Sequence, residues 1–169
     1  GVEASTGALG HGLGFASGIA LAGKMNKHDY QVYVLIGDGE CQEGSVWETA
    51  LFAASNKLDN LNVILDYNKL QAMDRLDNIV KMEPFKDKWK AFGWEVEEVE
   101  GHDIPSLIAV LTKKFHTNNS PRITIAHTVK GKGISFMEGV PIWHNRLPNE
   151  IEMQIALKEL DMSMQELVD

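Results

Sequence analysis

The chain has 169 residues, 44% hydrophobic and 24% charged, with a net charge of −8, and this composition is that of an ordinary soluble globular domain. That length allows one domain burying roughly 70% of its unfolded surface, so no disulfide or structural metal is needed to stabilise a core. The acidic balance lacks any Lys/Arg cluster that would track a phosphate backbone, which argues against a nucleic-acid partner, and no apolar run approaches the length of a membrane span.

A lone cysteine, Cys41, permits no internal disulfide and fits a reducing, cytoplasmic compartment. It reads as a small side chain near a loop rather than as a nucleophile. No charged-then-apolar leader is evident. The opening, Gly1-Val2-Glu3-Ala4-Ser5-Thr6-Gly7, reads as though the chain begins mid-domain.

In chain order, residues 1–14 are glycine-dense, and Phe15 to Met25 is rich in Ala, Leu and Ile and predicts a helix. Tyr30 to Ile36 is a short apolar run stopped by Gly37-Asp38-Gly39, the pattern of a strand buried on both faces. Gly44 to Lys57 predicts a helix with Val46, Ala50, Ala53 and Ala54 near one face, and Leu61 to Asp66 a second buried strand. The stretch to about Pro84 reads as irregular. Phe85 to Phe92 predicts a short helix ended by a left-handed cap at Gly93. Trp94 to Val99 alternates as a strand, and Asp103 is the expected N-cap of a helix from Ile104 to about His116. Pro121 to Val129 gives a fourth strand, followed by a loop with three glycines to Pro148. Asn149 then caps a last long helix, with a shorter one after Met162. Alternating strands and helices predict a parallel α/β sheet with helices on both faces, in a single domain spanning 1–169.

Ligands of open parallel sheets bind at the carboxyl ends of the strands. Two strands here end in groups suited to a hard cation: Asp38, between Gly37 and Gly39, and Asp66-Tyr67-Asn68. The glycines let backbone approach a phosphate closely. Mg²⁺ prefers octahedral oxygen ligands and keeps some of them from phosphate or water. Asp38, the Asn68 amide oxygen and the Leu70 carbonyl can supply the protein's share. A divalent ion (Mg²⁺, with Ca²⁺ or Mn²⁺ able to replace it) would also offset the repulsion between Asp38 and a diphosphate. Gly-Asp-Gly alone occurs in many turns; an Asn closing a second apolar strand 30 residues later makes the pair specific.

The segment GDGECQEGSVWETALFAASNKLDNLNVILDYNKLQ resembles the thiamine diphosphate motif of transketolases. The likeness extends to EASTGALGHGLGFASGIALA before it and to KWKAFGWEVEEVEGHD and HTVKGKGISFMEGVPIWHN after it. It is nearest to the amino-terminal subunit of split transketolases, in which cofactor-binding and partner domains are separate chains. The resemblance implies a thiamine diphosphate-binding fold lacking its amino-terminal part, Mg²⁺ held by Asp38, Asn68 and the Leu70 carbonyl, and a Gly39 backbone contact to the diphosphate. Gly10 falls where the family brings backbone against the cofactor; helix–strand packing is the alternative reading of these early glycines. Glu43 and Glu48 match carboxylates near the family's dimer seam, where close pairs share a proton; solvated carboxylates in a helix's first turn are the alternative. His144 matches a histidine that approaches cofactor and substrate, where it can move protons near neutral pH. Lys130 and Lys132 are candidates to steady phosphate, or are solvated. His11 and His127 lie near the expected site with no assigned role, and His28, His102 and His116 read as surface or capping residues.

The family also implies a partner: a carboxy-terminal subunit carrying the pyrimidine-binding domain and the activating glutamate, in a hetero-oligomer with two of each chain, acting on sugar phosphates. Two features depart from the pattern. Residues that the family carries ahead of Gly1, including histidines at the substrate, are absent here. Ala72-Met73-Asp74 stands where many members have a bulky aliphatic, Asp and Gly, so the clamp on the cofactor's thiazolium is altered. Three other readings remain at this point: another thiamine diphosphate enzyme, such as deoxyxylulose-phosphate synthase or a specialised sugar or sulfo-sugar transketolase; a non-catalytic relative; and an unrelated nucleotide-binding module.

Overall fold

The computed structural model describes residues 1–113 and 119–163. Four strands, β1 (Val32–Gly37), β2 (Leu61–Tyr67), β3 (Glu95–Glu100) and β4 (Arg122–His127), form one parallel sheet in the order β1-β2-β4-β3. The connecting helices are α1 (His11–Met25), α2 (Gly44–Ser55), α3 (Leu76–Ile79), α4 (Phe85–Ala91), α5 (Ile104–Leu111) and α6 (Glu150–Glu159). The parallel α/β expectation is met, with helices on both faces.

The two faces are chemically unlike. Register places Val34, Val63 and Ile123 in one row and Ile36, Leu65 and Ile125 in the next. α1, α2 and α4 cover these rows, with Leu13, Ala16, Ala20, Val46, Ala50 and Trp89 buried in the same core. Trp47, Trp89, Trp94 and Phe92 pack as a chain of rings with centroids 4.9–5.1 Å apart. On the other face, Asn62, Arg122 and Glu95 share one row and Ile64, Thr124 and Glu97 the next. There α5 lies across the sheet, its carbonyls at Val110 and Leu111 reached by Arg122 Nη1 and the Tyr33 hydroxyl.

This asymmetry corrects the reading of the first strand. Tyr33 and Leu35 are 50% and 68% exposed, because β1 is an edge strand and α5 covers its second face only in part. An apolar run at the sheet edge cannot be told from a central strand by composition. β2 and β4, the two central strands, are the ones buried along their length on both faces.

Several boundaries also move. α1 begins at His11 rather than Phe15, since the chain turns at Gly10, whose φ is +79°, and the helix takes in Gly12 and Gly14 against Val34 and Thr49. The irregular stretch contains the short helix α3. Asp103 does precede α5, but its carboxylate takes the Ser106 hydroxyl and caps no backbone N–H. The far end expected for that helix, His116, and the short helix after Met162 fall on residues outside the described ones. Gly93 does end α4, with φ of +88° and the Gly93 and Trp94 N–H groups on the Lys90 and Trp89 carbonyls. Asn149 and Glu152 form a reciprocal capping box at the start of α6.

Candidate cofactor site

The site is built where β1, β2 and β4 end side by side. Gly37 and Asp66 are register partners, and the Asp38 N–H continues the ladder onto the Asp66 carbonyl at 3.2 Å. Asp38 is 1% exposed. Its Oδ1 accepts the Gly39 N–H at 2.7 Å and its Oδ2 the Lys69 N–H at 2.6 Å. Lys69 reaches this position with a left-handed φ of +65°, which folds the loop after β2 back toward β1. Burial pushes the Asp38 carboxyl up to about 6; the two N–H groups oppose that shift and the nearby Asp66 charge adds to it.

Asn68 is held at both ends of its amide. Its Nδ2 donates to Asp66 Oδ2 at 3.1 Å, and its Oδ1 accepts the Leu70 N–H at 2.9 Å. The other Asp66 oxygen accepts the Thr128 hydroxyl from the end of β4. One carboxylate thus sets the Asn68 rotamer and joins two strand ends. The Leu70 carbonyl accepts no hydrogen bond from the described residues, which leaves its lone pairs available.

These groups fit a hard divalent cation. A buried carboxylate, an oriented amide oxygen and a free carbonyl are the oxygen types such an ion takes. Among the described residues no three His, Cys, Asp or Glu side chains converge as a metal cluster, so an ion here would draw its remaining ligands from a bound diphosphate and water. Gly39 passes close to the loop after β2: a Cβ there would lie 3.1 Å from Gln71 Cβ. Gly37 and Gly39 flank the carboxylate as expected.

Beside Asn68 and Leu70 opens a cleft of about 260 Å³ that also takes in Arg75, His127 and Lys130. The two candidate lysines therefore part company: Lys130 lines the cleft, whereas Lys132 is paired with Glu138 at 3.4 Å. His127 is fixed by Glu98 at 3.3 Å and lies edge-on to Tyr67. His102 is exposed and accepts the Val129 N–H at 2.8 Å in the loop after β4, and His28 stacks on Tyr30. His11 is exposed near the Leu9 carbonyl. His144 is exposed on a 3-10 turn, Pro141–His144, and does not line the cleft; its neighbour Trp143 anchors that turn through the Phe136 carbonyl. Glu43 and Glu48 are both exposed at the start of α2. Met73 is 86% exposed, and Asp74 turns back onto Arg75 N–H and Asn78. Cys41 is fully buried and its thiol is pushed up by burial, which suits a packing residue.

The chain matches the family described as transketolase, thiamine diphosphate binding domain, over residues 1–165. It belongs to that family. A subunit of an apulose-4-phosphate transketolase from Actinobacillus succinogenes is 50% identical over 160 residues, covering 95% of this chain and 58% of the relative. A 6-deoxy-6-sulfo-D-fructose transketolase subunit from a Clostridium species is 38% identical over 161 residues, again covering 95% of this chain and 58% of the relative. This transketolase-family chain thus spans under three fifths of the length of either relative. The transketolase of Campylobacter jejuni superposes with a TM-score of 0.87 at 31% identity, over 96% of this chain and 27% of that one.

Thr128 and Glu40 carried no role in the sequence, and Asp66 was read only as part of a strand end suited to a cation. Thr128 is a typical strand-end residue; only the register of β2 with β4 makes it a partner of Asp66, whose other oxygen takes the Asn68 amide two positions on. Glu40 follows the glycine motif directly, yet its carboxylate reaches back to Gly10 as well as Gly37. The family membership removes the unrelated nucleotide-binding alternative.

Proposed function

We propose that this chain is the diphosphate- and Mg²⁺-binding part of a transketolase, moving a two-carbon ketol unit from a ketose to an aldose together with a subunit carrying a pyrimidine-binding domain. The observation that carries the proposal is the buried Asp38 carboxylate, joined by Lys69 N–H to the loop presenting Asn68 and the Leu70 carbonyl. Thiamine diphosphate, once bound, supplies the carbanion chemistry that breaks and remakes the carbon–carbon bond.

This chain's residues supply anchorage and charge control. Asp38, Asn68 and the Leu70 carbonyl hold the cation. Gly37 and Gly39 let backbone come close to the diphosphate. Gly10, whose N–H is already taken by Glu40, contributes a close-packed turn rather than a donor. Lys130 in the cleft steadies phosphate charge. His144 is the candidate to approach cofactor and substrate in the assembled enzyme, where it would hold or move a substrate proton. Glu43 and Glu48, exposed on α2, meet their counterparts at the seam between copies. The assembly contains two of each chain and works in the cytoplasm.

The substrate reading follows the relatives. The names of the two subunits described above specify sugars bearing a phosphate or a sulfo group, which supports a specialised sugar transketolase as the second reading alongside a pentose phosphate one. Reconstitution decides the matter: the chain is mixed with a candidate pyrimidine-binding subunit, Mg²⁺ and thiamine diphosphate, and ketol transfer is followed for each sugar class. Activity is expected only in the mixture and only with parent Asp38. Transfer that survives Asp38→Ala would leave the chain a non-catalytic relative, and transfer by the isolated chain would refute the need for a partner.

A further inference from the structure

One side chain ties the turn ahead of α1 to the end of β1. Glu40 accepts the Gly10 N–H on Oε1 at 2.8 Å and the Gly37 N–H on Oε2 at 3.2 Å. The same segment holds the Gly10 carbonyl, through the Ser45 hydroxyl at 3.1 Å. Both backbone polar groups of Gly10 are therefore engaged by residues 40–45. A Cβ at Gly10 would lie 2.3 Å from Ser45 Oγ and 2.9 Å from Glu43 Cβ, so the turn sits against this segment without slack. Hydrogen bonds to an ionised carboxylate are the stronger kind, and one carboxylate bridging two N–H groups fixes their separation.

We propose that Glu40 is a positioning residue for the diphosphate anchor: its carboxylate keeps the Gly10 turn in register with the Gly37-Asp38-Gly39 loop, so that both glycine segments form one cradle. This rests on the thiamine diphosphate reading above. The idea has a sign that a simple charge effect does not share. A carboxylate near a diphosphate repels it, so electrostatics alone has Glu40→Gln binding the cofactor more tightly. The clamp requires the opposite, because Gln offers one acceptor and one N–H₂ donor where two N–H donors converge.

The test is calorimetric titration of the full chain with thiamine diphosphate at saturating Mg²⁺, for the parent, Glu40→Gln, Glu40→Asp and Ser45→Ala, with thermal melting of each. Asp keeps the charge but is one methylene too short to span both N–H groups. Both Glu40 variants are expected to bind roughly tenfold more weakly, the size of one lost charge-assisted bond, with melting temperatures near that of the parent. Ser45→Ala removes one Gly10 bond without touching Gly37 and is expected to weaken binding less than either Glu40 variant does. Tighter binding by Glu40→Gln, unchanged binding by both Glu40 variants, or an equal loss in Ser45→Ala each overturns the clamp. A parent that binds no thiamine diphosphate, alone or with a pyrimidine-binding subunit added, overturns the cofactor reading itself, which separates the two failures.

Discussion

Asp38 Oδ2 accepts the Lys69 N–H at 2.6 Å, a contact across 31 positions that joins the loop after β1 to the loop after β2. Lys69 is in the left-handed region, which for a side-chain-bearing residue costs on the order of 1 kcal/mol. The bond to a buried carboxylate offsets that cost and holds Asn68 and Leu70 beside Asp38. Each expected outcome about the site follows from this junction.

The Asp66 carboxylate aims Asn68 and is in turn held by Thr128. Asp66→Ala is expected to lower Mg²⁺ affinity about 10–100-fold, as loss of a ligand's orienting partner does, while Thr128→Val has a smaller effect of the same sign. Mg²⁺ titration in the presence of thiamine diphosphate measures both. Unchanged affinity in Asp66→Ala would mean that Asn68 is not a ligand.

Cys41 is fully buried, and burial raises its thiol. It is expected to resist a water-soluble thiol reagent in the native chain at pH 8 and to react fully in denaturant. Fast native labelling would contradict its place in the core.

Among the described residues the Trp89 indole N–H finds no hydrogen-bond partner, although the ring is fully buried between Trp47 and Trp94. Trp89→Ala is expected to cost about 3–5 kcal/mol of stability. Trp89→Phe removes the unpaired donor along with some ring area, so its cost should be under about 2 kcal/mol. Urea unfolding of the two variants checks the difference, and equal costs would contradict it.

The capping box of α6 gives a local expectation. Asn149→Ala leaves the Glu152 N–H without its side-chain acceptor and is expected to destabilise the helix by about 1 kcal/mol. Circular dichroism through thermal unfolding reads the loss, and Asn149→Asp should retain the cap.

Local chemistry in the sequence reached a long way into this structure. The glycine after α4, the cap of α6 and the Gly-Asp-Gly stop after β1 each follow from residues adjacent in the chain, and each is found where expected. The partners of a residue far along the chain were not legible. Leu35 looks like a core residue until the sheet order puts β1 at an edge. Glu40 looks like a helix-turn carboxylate until the fold brings Gly10 to it across 30 positions. Asp66 was visible as a strand end, but its hold on Thr128 depends on two strands pairing in one register. His144 is the reverse case: its assignment comes from a flanking motif, and in the chain by itself it stands exposed on a turn.

The central claim is that Asp38 anchors a metal-bridged diphosphate. Its most direct measurement is calorimetric titration of thiamine diphosphate into the full chain with Mg²⁺, with excess chelator, and with Mg²⁺ after Asp38→Ala. Binding is expected only in the first case, with at least about a hundredfold loss in the other two, equivalent to about 3 kcal/mol. Equal affinity with and without the metal, or in the Asp38→Ala chain, would contradict it.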